Sequence, residues 1–98
     1  MKAHIHTPTN DPRQSIDFYT RLGFTRLSED PMLFSDGSTV IEVDPDRRAR
    51  AGVRCYHTDP SAIIAKLGVK AHPIKGGHVV SDPSGIWVYI MEGKAPKV

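Results

Sequence analysis

The sequence has little of what marks a secreted, membrane or nucleic-acid-binding protein. Its only cysteine, Cys55, leaves no second thiol for a disulfide within the chain, which fits a reducing cytoplasm. No apolar run is long enough to span a membrane, and the N-terminal residues show no signal-peptide pattern. Thirteen basic and eleven acidic side chains give a net charge of only +2. We therefore expect a cytoplasmic protein that binds neither membranes nor nucleic acid.

The one basic cluster in the sequence consists of Arg47, Arg48 and Arg50, and it stands beside Asp44 and Asp46. Because acidic and basic residues are interspersed here, we interpret the segment as a solvated connection between two halves of the chain. A patch for phosphate or nucleic acid is the alternative interpretation.

A duplication is the most informative feature that the sequence does contain. An Asp-Pro pair followed by a Leu-Gly pair runs from Asp11 to Gly23 and recurs from Asp59 to Gly68. A Ser-Asp pair before a hydrophobic run recurs in the same way, at Ser35-Asp36 and at Ser81-Asp82. A repeat of this length is typical of a supersecondary unit that pairs with its copy to bury a shared face.

The first copy has the pattern of a strand, a helix and three further strands. Residues 3–7 alternate between two faces and predict a half-buried strand. Asp11 is a good N-cap and Gly23 a good left-handed end, so we expect a helix between them. Ile16, Tyr19 and Leu22 recur at helical spacing within this segment, joined by Phe18. Strands are then predicted over residues 25–29, 32–35 and 40–44.

The second copy predicts the same order of elements. Its helix is expected between Asp59 and Gly68, with Ile63, Ile64 and Leu67 inward, and its strands over residues 52–58, 70–74, 78–81 and 86–91. The fold class is therefore α+β, built from two βαβββ modules. Because 98 residues suffice for one core, we expect a single domain over residues 1–98, with repeats at about 1–46 and 51–93.

Two motifs in the chain resemble those of a known superfamily. The first motif begins at Asp11, continues six residues later with Phe18-Tyr19 and ends, after two more residues, with Leu22-Gly23-Phe24. The second motif is the late turn Asp82-Pro83-Ser84-Gly85. Within a βαβββ repeat, these motifs are similar to the vicinal oxygen chelate superfamily, which includes glyoxalase I, bleomycin-resistance proteins and extradiol dioxygenases. In character the chain is closest to the bleomycin-resistance branch. The resemblance implies a cup-shaped, curved mixed sheet with the helices outside and a ligand cleft inside.

Alternation along the strands divides their side chains between the two faces of such a sheet. Toward the helices we expect the apolar residues Ile5, Ile41, Val43, Val53, Cys55, Val88 and Ile90. Toward the cleft, and thus as ligand-binding residues, we expect His4, His6, Glu42, Arg54, Tyr56, Trp87, Tyr89 and Met91. The aromatic rings and the pliable methionine suit a planar aromatic ligand. Glu42 serves either as a base or acceptor in the cleft, or as the salt-bridge partner of Arg54.

Metal-binding members of the superfamily take one donor from the first and last strand of each repeat. The resemblance places these positions at His4, Glu42, Gly52 and Tyr89. Glycine has no side-chain donor and a neutral tyrosine is a poor one, whereas catalytic metal sites normally have three protein donors. A third donor would come from His6 or from a partner chain. We therefore expect no metal cofactor, with His4 and Glu42 as the fallback pair for zinc, iron, manganese or nickel.

Three functions are consistent with these residues, and the sequence leaves catalysis open. The first is a metal-independent small-molecule-binding protein that takes a planar aromatic ligand in the cleft. The second is a metal-dependent lyase, isomerase or dioxygenase that uses His4 and Glu42 with a further donor. The third is a dimeric module without a ligand of its own, since Trp, Tyr, Met and Arg are also enriched at interfaces. We favour the first function and expect a homodimer.

Overall fold

The computed structural model describes residues 3–46 and 49–95 of the chain. The chain divides into two compact units, one over His4–Ala51 and one that begins at Gly52. Each unit contains a strand, a helix and three more strands in that order. This confirms the α+β class and the two βαβββ modules, while the prediction of a single domain stays a prediction.

The first unit contains a mixed sheet and one helix. Its elements are β1 (Ala3–Pro8), α1 (Pro12–Leu22), β2 (Thr25–Glu29), β3 (Met32–Ser35) and β4 (Val40–Asp44). The strands are ordered β2-β3-β4-β1. β1 and β4 are parallel, with His6 opposite Glu42, whereas β3 is antiparallel to both β2 and β4. The first and last strands of the unit are therefore direct neighbours.

Helix α1 begins and ends where the sequence predicts. The Asp11 carboxylate accepts a hydrogen bond from the Gln14 N–H at 3.1 Å, and Pro12 occupies the first turn, where a missing N–H costs nothing. Gly23 ends the helix with a φ of +102°, a left-handed conformation that glycine adopts without strain. Neither described helix is long and apolar enough to cross a membrane.

One side of α1 covers a buried cluster on the sheet. The cluster consists of Phe34, Ile41 and Val43, with Ile16, Tyr19, Phe24 and Met32 packed against it. The rings of Tyr19 and Phe34 lie 5.6 Å apart between centroids. Phe18 and Leu22, which belong to the same helical pattern, are 58% and 59% exposed. Only Ile16 and Tyr19 of the helix reach the cluster, so the flank of the helix and its last residue stay in solvent.

The second unit repeats this arrangement with a shorter helix. Its elements are β5 (Gly52–His57), α2 (Pro60–Leu67), β6 (His72–Ile74), β7 (Gly77–Ser81) and β8 (Trp87–Glu92). The strands are ordered β5-β8-β7-β6, with β5 and β8 parallel and β7 antiparallel to both of its neighbours. β6 begins two residues later than predicted, because residues 68–71 bring the chain back from the end of α2 to the edge of the sheet.

Helix α2 is capped as predicted but packs through fewer side chains than predicted. The Asp59 carboxylate accepts a hydrogen bond from the Ala62 N–H at 3.2 Å. Ile63 and Ile64 pack against a buried cluster that consists of Cys55, Val80 and Ile90. The inward placement of Leu67 is wrong, since this residue is 52% exposed. A helix of eight residues makes only about two turns, so its last residue lies beyond the cluster.

The two units share their strand register as well as their order of elements. Ile5 faces Ile41 across β1 and β4, as Val53 faces Val88 across β5 and β8. Ile41 and Val43 pack under α1, and Cys55, Val88 and Ile90 pack under α2, as the alternation predicts. Ile5 and Val53 belong to neither cluster and are 45% and 39% exposed. The duplication is therefore visible in the structure, because the residues of β1 and β4 have counterparts at the same places in the register of β5 and β8.

The predicted basic cluster is only partly within the described chain. Arg47 and Arg48 lie outside the described residues, and Arg50 is exposed. The Ala49 N–H donates a hydrogen bond to the Asp46 carbonyl oxygen at 3.1 Å, in the segment between β4 and β5. The exposure of Asp46 and Arg50 agrees with a solvated connection.

Asp36 fixes the predicted turn between β3 and β4. Its Oδ1 atom accepts hydrogen bonds from the backbone N–H groups of Thr39 at 2.7 Å and Ser38 at 2.9 Å. These hydrogen bonds favour the charged form and therefore hold the pKa of Asp36 below its ordinary value. The bond from Thr39 has the largest effect. A carboxyl whose pKa is lower in the folded state stabilises the fold above its unfolded-state pKa. That contribution is lost as the pH falls through the folded-state pKa.

We expect Asp36→Asn, which keeps an acceptor oxygen but removes the charge, to lower the free energy of unfolding at neutral pH. The difference from the wild type should shrink as the pH falls through the lowered folded-state pKa of Asp36, because the wild-type carboxyl is then itself protonated. Urea unfolding followed by circular dichroism over a pH series measures this. Asp30→Asn, which changes an exposed carboxylate near the start of β3, is the control. A difference that does not depend on pH would contradict the assignment.

Candidate functional site

Four ionisable side chains of the first unit lie together and form what we term the His/carboxylate cluster. Its members are His4 and His6 on β1 and Glu42 and Asp44 on β4. The two strands are parallel neighbours with His6 opposite Glu42, and alternate residues of a strand share one face. Ile41 and Val43 point to the other face, where they pack under α1. The cluster therefore occupies the face of the sheet that the helix does not cover.

The histidine and carboxylate groups are in direct contact. His4 Nε2 lies 3.2 Å from Glu42 Oε1, and His6 Nδ1 lies 3.5 Å from Glu42 Oε2. His6 Nε2 lies 3.0 Å from Asp44 Oδ2. His4, His6 and Glu42 are buried, whereas the Asp44 side chain is 27% exposed. Asp44 therefore lies on the side of the cluster that faces solvent.

Three of these residues were predicted as ligand-binding residues, and Asp44 was missed. In the sequence, Asp44 stands out only as an acidic neighbour of the arginine cluster. The signal that would have found it is the period of two, because Asp44 stands two residues beyond Glu42 on the same strand, as His6 stands two residues beyond His4. The structure thus brings together the fallback pair, His4 and Glu42, and adds two further donors beside it.

Burial determines what this cluster can do chemically. Charged groups inside a protein are stable only when they are paired or bind a metal ion. Two imidazoles beside two carboxylates can share protons among themselves or share a cation. One ligand atom each from His6, Glu42 and Asp44 lies within 4.8 Å of the other two. The prediction that no metal is bound stays a prediction.

The two other positions that the resemblance assigns to a metal do not fit one. A Cβ atom at Gly52 would lie 2.0 Å from the backbone carbonyl oxygen of Trp87, so no residue with a side chain fits between the paired strands at this point. Tyr89 is 4% exposed and packs with Val79 and Met91 as part of a hydrophobic cluster. Gly52 therefore has no side-chain donor, and Tyr89 has only a neutral phenol, which is a poor ligand.

The second unit carries a set of mainly aromatic side chains, which we term the aromatic face. It consists of Arg54 and Tyr56 on β5, Val79 on β7, and Trp87, Tyr89 and Met91 on β8. The register of β5 and β8 places Arg54 opposite Tyr89 and Tyr56 opposite Met91. The rings of Trp87 and Tyr89 lie 6.0 Å apart at an angle of 59°. All five sequence-predicted residues from this unit therefore share one face, opposite the side that α2 covers.

Arg54 is held by its neighbour on the same strand. Its Nε donates a hydrogen bond to the Tyr56 hydroxyl oxygen at 3.0 Å, and its guanidinium carbon lies 5.8 Å from the centre of the Tyr56 ring. Both side chains are half-buried. The guanidinium therefore has a fixed orientation beside the aromatic rings. The salt bridge between Arg54 and Glu42 stays a prediction.

The single cysteine lies outside both sets of residues. Cys55 packs on the α2 side of its strand with Val80 and Ile90, and its thiol donates to the Tyr89 carbonyl oxygen at 3.4 Å. Burial raises the pKa of the Cys55 thiol, because it disfavours the thiolate. Cys55 is therefore a packing residue and not a nucleophile of the site.

Comparison of the sequence with families of known proteins gives one match. The model of the Glyoxalase/Bleomycin resistance protein/Dioxygenase superfamily matches residues 3–53, which is more than half of the chain. None of the curated proteins is similar enough in sequence to match.

Solved structures resemble the chain in fold at low sequence identity. A protein from Legionella pneumophila described as an NAD-dependent benzaldehyde dehydrogenase is 12% identical over 95% of this chain and 100% of its own, with a TM-score of 0.73. A glyoxalase/bleomycin resistance protein/dioxygenase superfamily member from Vibrio splendidus 12B01 is 10% identical over 93% and 97%, with a TM-score of 0.64. At such identities the likeness concerns the fold alone.

We expect Gly52→Ala to lower the free energy of unfolding by about 1–3 kcal/mol, because the new methyl group meets the Trp87 carbonyl and must push the paired strands apart. Urea unfolding measures the loss. Thr58→Ala, an exposed substitution one residue beyond the end of the same strand, should change stability by less than about 0.5 kcal/mol. A Gly52→Ala variant as stable as the wild type would show that this position does accept a side chain.

Proposed function

Because the chain belongs to the glyoxalase/bleomycin resistance protein/dioxygenase superfamily, we propose that it is a small-molecule-binding protein whose aromatic face takes a planar aromatic ligand. Binding without chemistry requires a surface that matches the ligand in shape and polarity. It does not require a nucleophile, a base or a metal ion.

The observation that carries this proposal is a set of buried and half-buried aromatic side chains next to one another on one face of the sheet. Tyr89 and Met91 are each 4% exposed, whereas Tyr56 and Trp87 are half-buried. A flat ligand that stacks on Trp87 removes apolar ring surface from water. The contact with Tyr89 already holds the indole in one orientation, so little side-chain freedom is lost on binding. Aromatic pairs of this kind contribute about 0.5–1.5 kcal/mol beyond the area that they bury.

Arg54 narrows the class of ligand to aromatic anions. Its guanidinium carries a permanent positive charge beside the rings, and its bond to Tyr56 fixes its direction. A carboxylate attached to an aromatic ring can pair with a guanidinium while the ring stacks on Trp87. Aromatic carboxylates therefore match both parts of the aromatic face.

The composition of the aromatic face supports binding rather than turnover. It contains no histidine, carboxylate or thiol, so it offers neither a general base for neutral pH nor an activated nucleophile. It also lacks the imidazole, carboxylate and thiolate groups that hold transition-metal ions. Ligand binding on this face is therefore expected to be independent of metal.

We expect naphthoate to quench the fluorescence of Trp87, the only tryptophan in the chain, in a saturable way. Cyclohexanecarboxylate, which has the same charge but no flat ring, should bind more weakly. By calorimetry, Trp87→Ala should weaken naphthoate binding by about three- to tenfold, the equivalent of one aromatic pair. EDTA should leave the affinity unchanged.

The matched control for Trp87→Ala is Phe18→Ala, which removes an exposed aromatic ring from α1 outside the aromatic face. Arg54→Gln should weaken the binding of naphthoate but not of uncharged naphthalenemethanol, and Arg54→Lys should restore part of the loss. Equal affinities of the wild type and Trp87→Ala for naphthoate would rule out the aromatic face as the ligand site.

We also propose that the chain forms a homodimer. Tyrosine, tryptophan, methionine and arginine are enriched both in ligand pockets and at protein interfaces, so the two uses must be separated by experiment. Sedimentation should give the same dimer for the wild type and for Trp87→Ala. If Trp87→Ala were a monomer, the aromatic face would be the dimer interface and not the ligand site.

A further inference from the structure

We propose that the ligand of the aromatic face is a planar aromatic compound with an acidic group at each end, which Arg54 holds at one end and His72 at the other. This inference rests on the proposed binding function and adds two things to it. It places a further contact on β6, beside the aromatic face, and it narrows the ligand from an aromatic anion to an elongated dianion. The residues concerned all belong to the second unit.

The strand pairing places His72 in line with the residues of the aromatic face. His72 on β6 stands opposite Val79 on β7, and Val79 stands opposite Tyr89 on β8. Tyr89 in turn stands opposite Arg54 on β5. Residues that stand opposite each other in neighbouring strands point to the same side of a sheet. The four side chains therefore form one row across four strands, which we term the Arg54–His72 row.

The packing of β7 shows to which side of the sheet this row points. Val80 packs in the cluster under α2, and His78 stands opposite Ile90 of the same cluster. Val79, which lies between them in sequence, packs instead in the cluster of the aromatic face. Because His72 is the partner of Val79 in the register, it lies on the side of the aromatic face and not under α2.

The Arg54–His72 row is polar at its two ends and apolar in the middle. Tyr89 is 4% exposed and Val79 is 7% exposed, so both middle side chains are withdrawn from water. Arg54 at one end is half-buried, and His72 at the other end is exposed. A planar aromatic compound that lies across the row covers the apolar middle and brings the groups at both of its ends beside hydrogen-bond donors.

The spacing of the strands sets the length of the ligand. Neighbouring strands lie about 4.8 Å apart, so the three steps from β5 to β6 separate Arg54 from His72 by about 14 Å along the sheet. Charge-assisted hydrogen bonds of about 2.8 Å at both ends leave roughly 8 Å for the ligand itself. Two fused aromatic rings with a carboxylate at each end match this length, whereas a single ring with one carboxylate reaches only one end.

The charge around β6 favours an acidic group at that end of the ligand. Residues 60–81 include Lys66, Lys70 and Lys75 but no acidic residue. Lys70 and Lys75 lie just before and just after β6, and both are exposed. Glu92 on β8 falls on the α2 side by alternation. The positive charge near β6 therefore attracts a second carboxylate to the end of the row at His72.

The imidazole of His72 suits the second contact. It carries an N–H donor in its neutral form and two in its charged form, so it can donate to a carboxylate in either state. β6 is the last strand of the unit, beyond β7, so a ligand reaches His72 from solvent without displacing another strand. Because His72 is exposed on this edge, its replacement should leave the fold intact.

The test compares naphthalenedicarboxylate isomers by calorimetry. Naphthalene-2,6-dicarboxylate carries its carboxylates at opposite ends of the ring system, whereas the 2,3-isomer carries both at one end. We expect the wild type to bind the 2,6-isomer about five- to tenfold more tightly than the 2,3-isomer or naphthoate, which is the effect of one more charge-assisted hydrogen bond. In His72→Ala the ratio of these affinities should fall to about one.

The matched control is His57→Ala, which makes the same change on β5 at a position that falls on the α2 side, like Cys55. This variant should keep the wild-type preference for the 2,6-isomer, and circular dichroism checks that both variants are folded. The proposal fails if the wild type binds the two isomers equally well, or if His72→Ala keeps the preference. In either case, naphthoate binding that depends on Trp87 leaves the proposed function standing. If the wild type binds none of the naphthalene probes, the proposed function fails as well.

Discussion

The parallel pairing of the first and last strands of each unit is the constraint on which both sets of site residues depend. In this pairing His6 stands opposite Glu42, and in the second unit Arg54 stands opposite Tyr89. Because side chains alternate between faces, this register sends one set under the helix and the other set away from it. A slip of one residue in either pair would exchange the two sets and place charges beneath the helix.

The same positions carry opposite chemistry in the two units. His4, His6, Glu42 and Asp44 of the first unit stand where the second has Gly52, Arg54, Tyr89 and Met91. The second unit therefore has a hydrophobic cluster on each side of its sheet, one around Ile90 and another around Tyr89, and Arg54 lies on the same face as the second. The first unit has one apolar cluster, under α1, and a charged group on its other side. Buried charges stabilise a fold weakly, so the helix side of the first unit bears most of its packing energy.

Local signals in the sequence were sufficient for the order of elements and for the direction of most side chains. Asp11 and Gly23 define a helix through capping groups that lie within a few residues of each other, and alternation assigns Ile41 and Glu42 to opposite faces. Exposure was harder to predict, because it depends on how far a helix extends past its cluster. Leu67 and Leu22 fit the helical period, yet each is the last residue of its helix and lies in solvent.

The role of Asp44 was missed for a related reason. Its neighbours in sequence are charged, and charge near a loop is typical of a solvated surface. Only the pairing of β1 with β4, a contact between residues far apart in the chain, brings Asp44 to His6. When a site is built on two strands, the alternation of side chains identifies its polar residues only after it is known which strands pair.

The close approach at Gly52 has a consequence for redesign of the second unit. The first side-chain atom at this position would meet the Trp87 carbonyl oxygen at 2.0 Å, so any added side chain has to displace β8 from β5. A donor group introduced here would therefore weaken the strand pairing that is meant to hold it, unless a second change gives the neighbouring strand room.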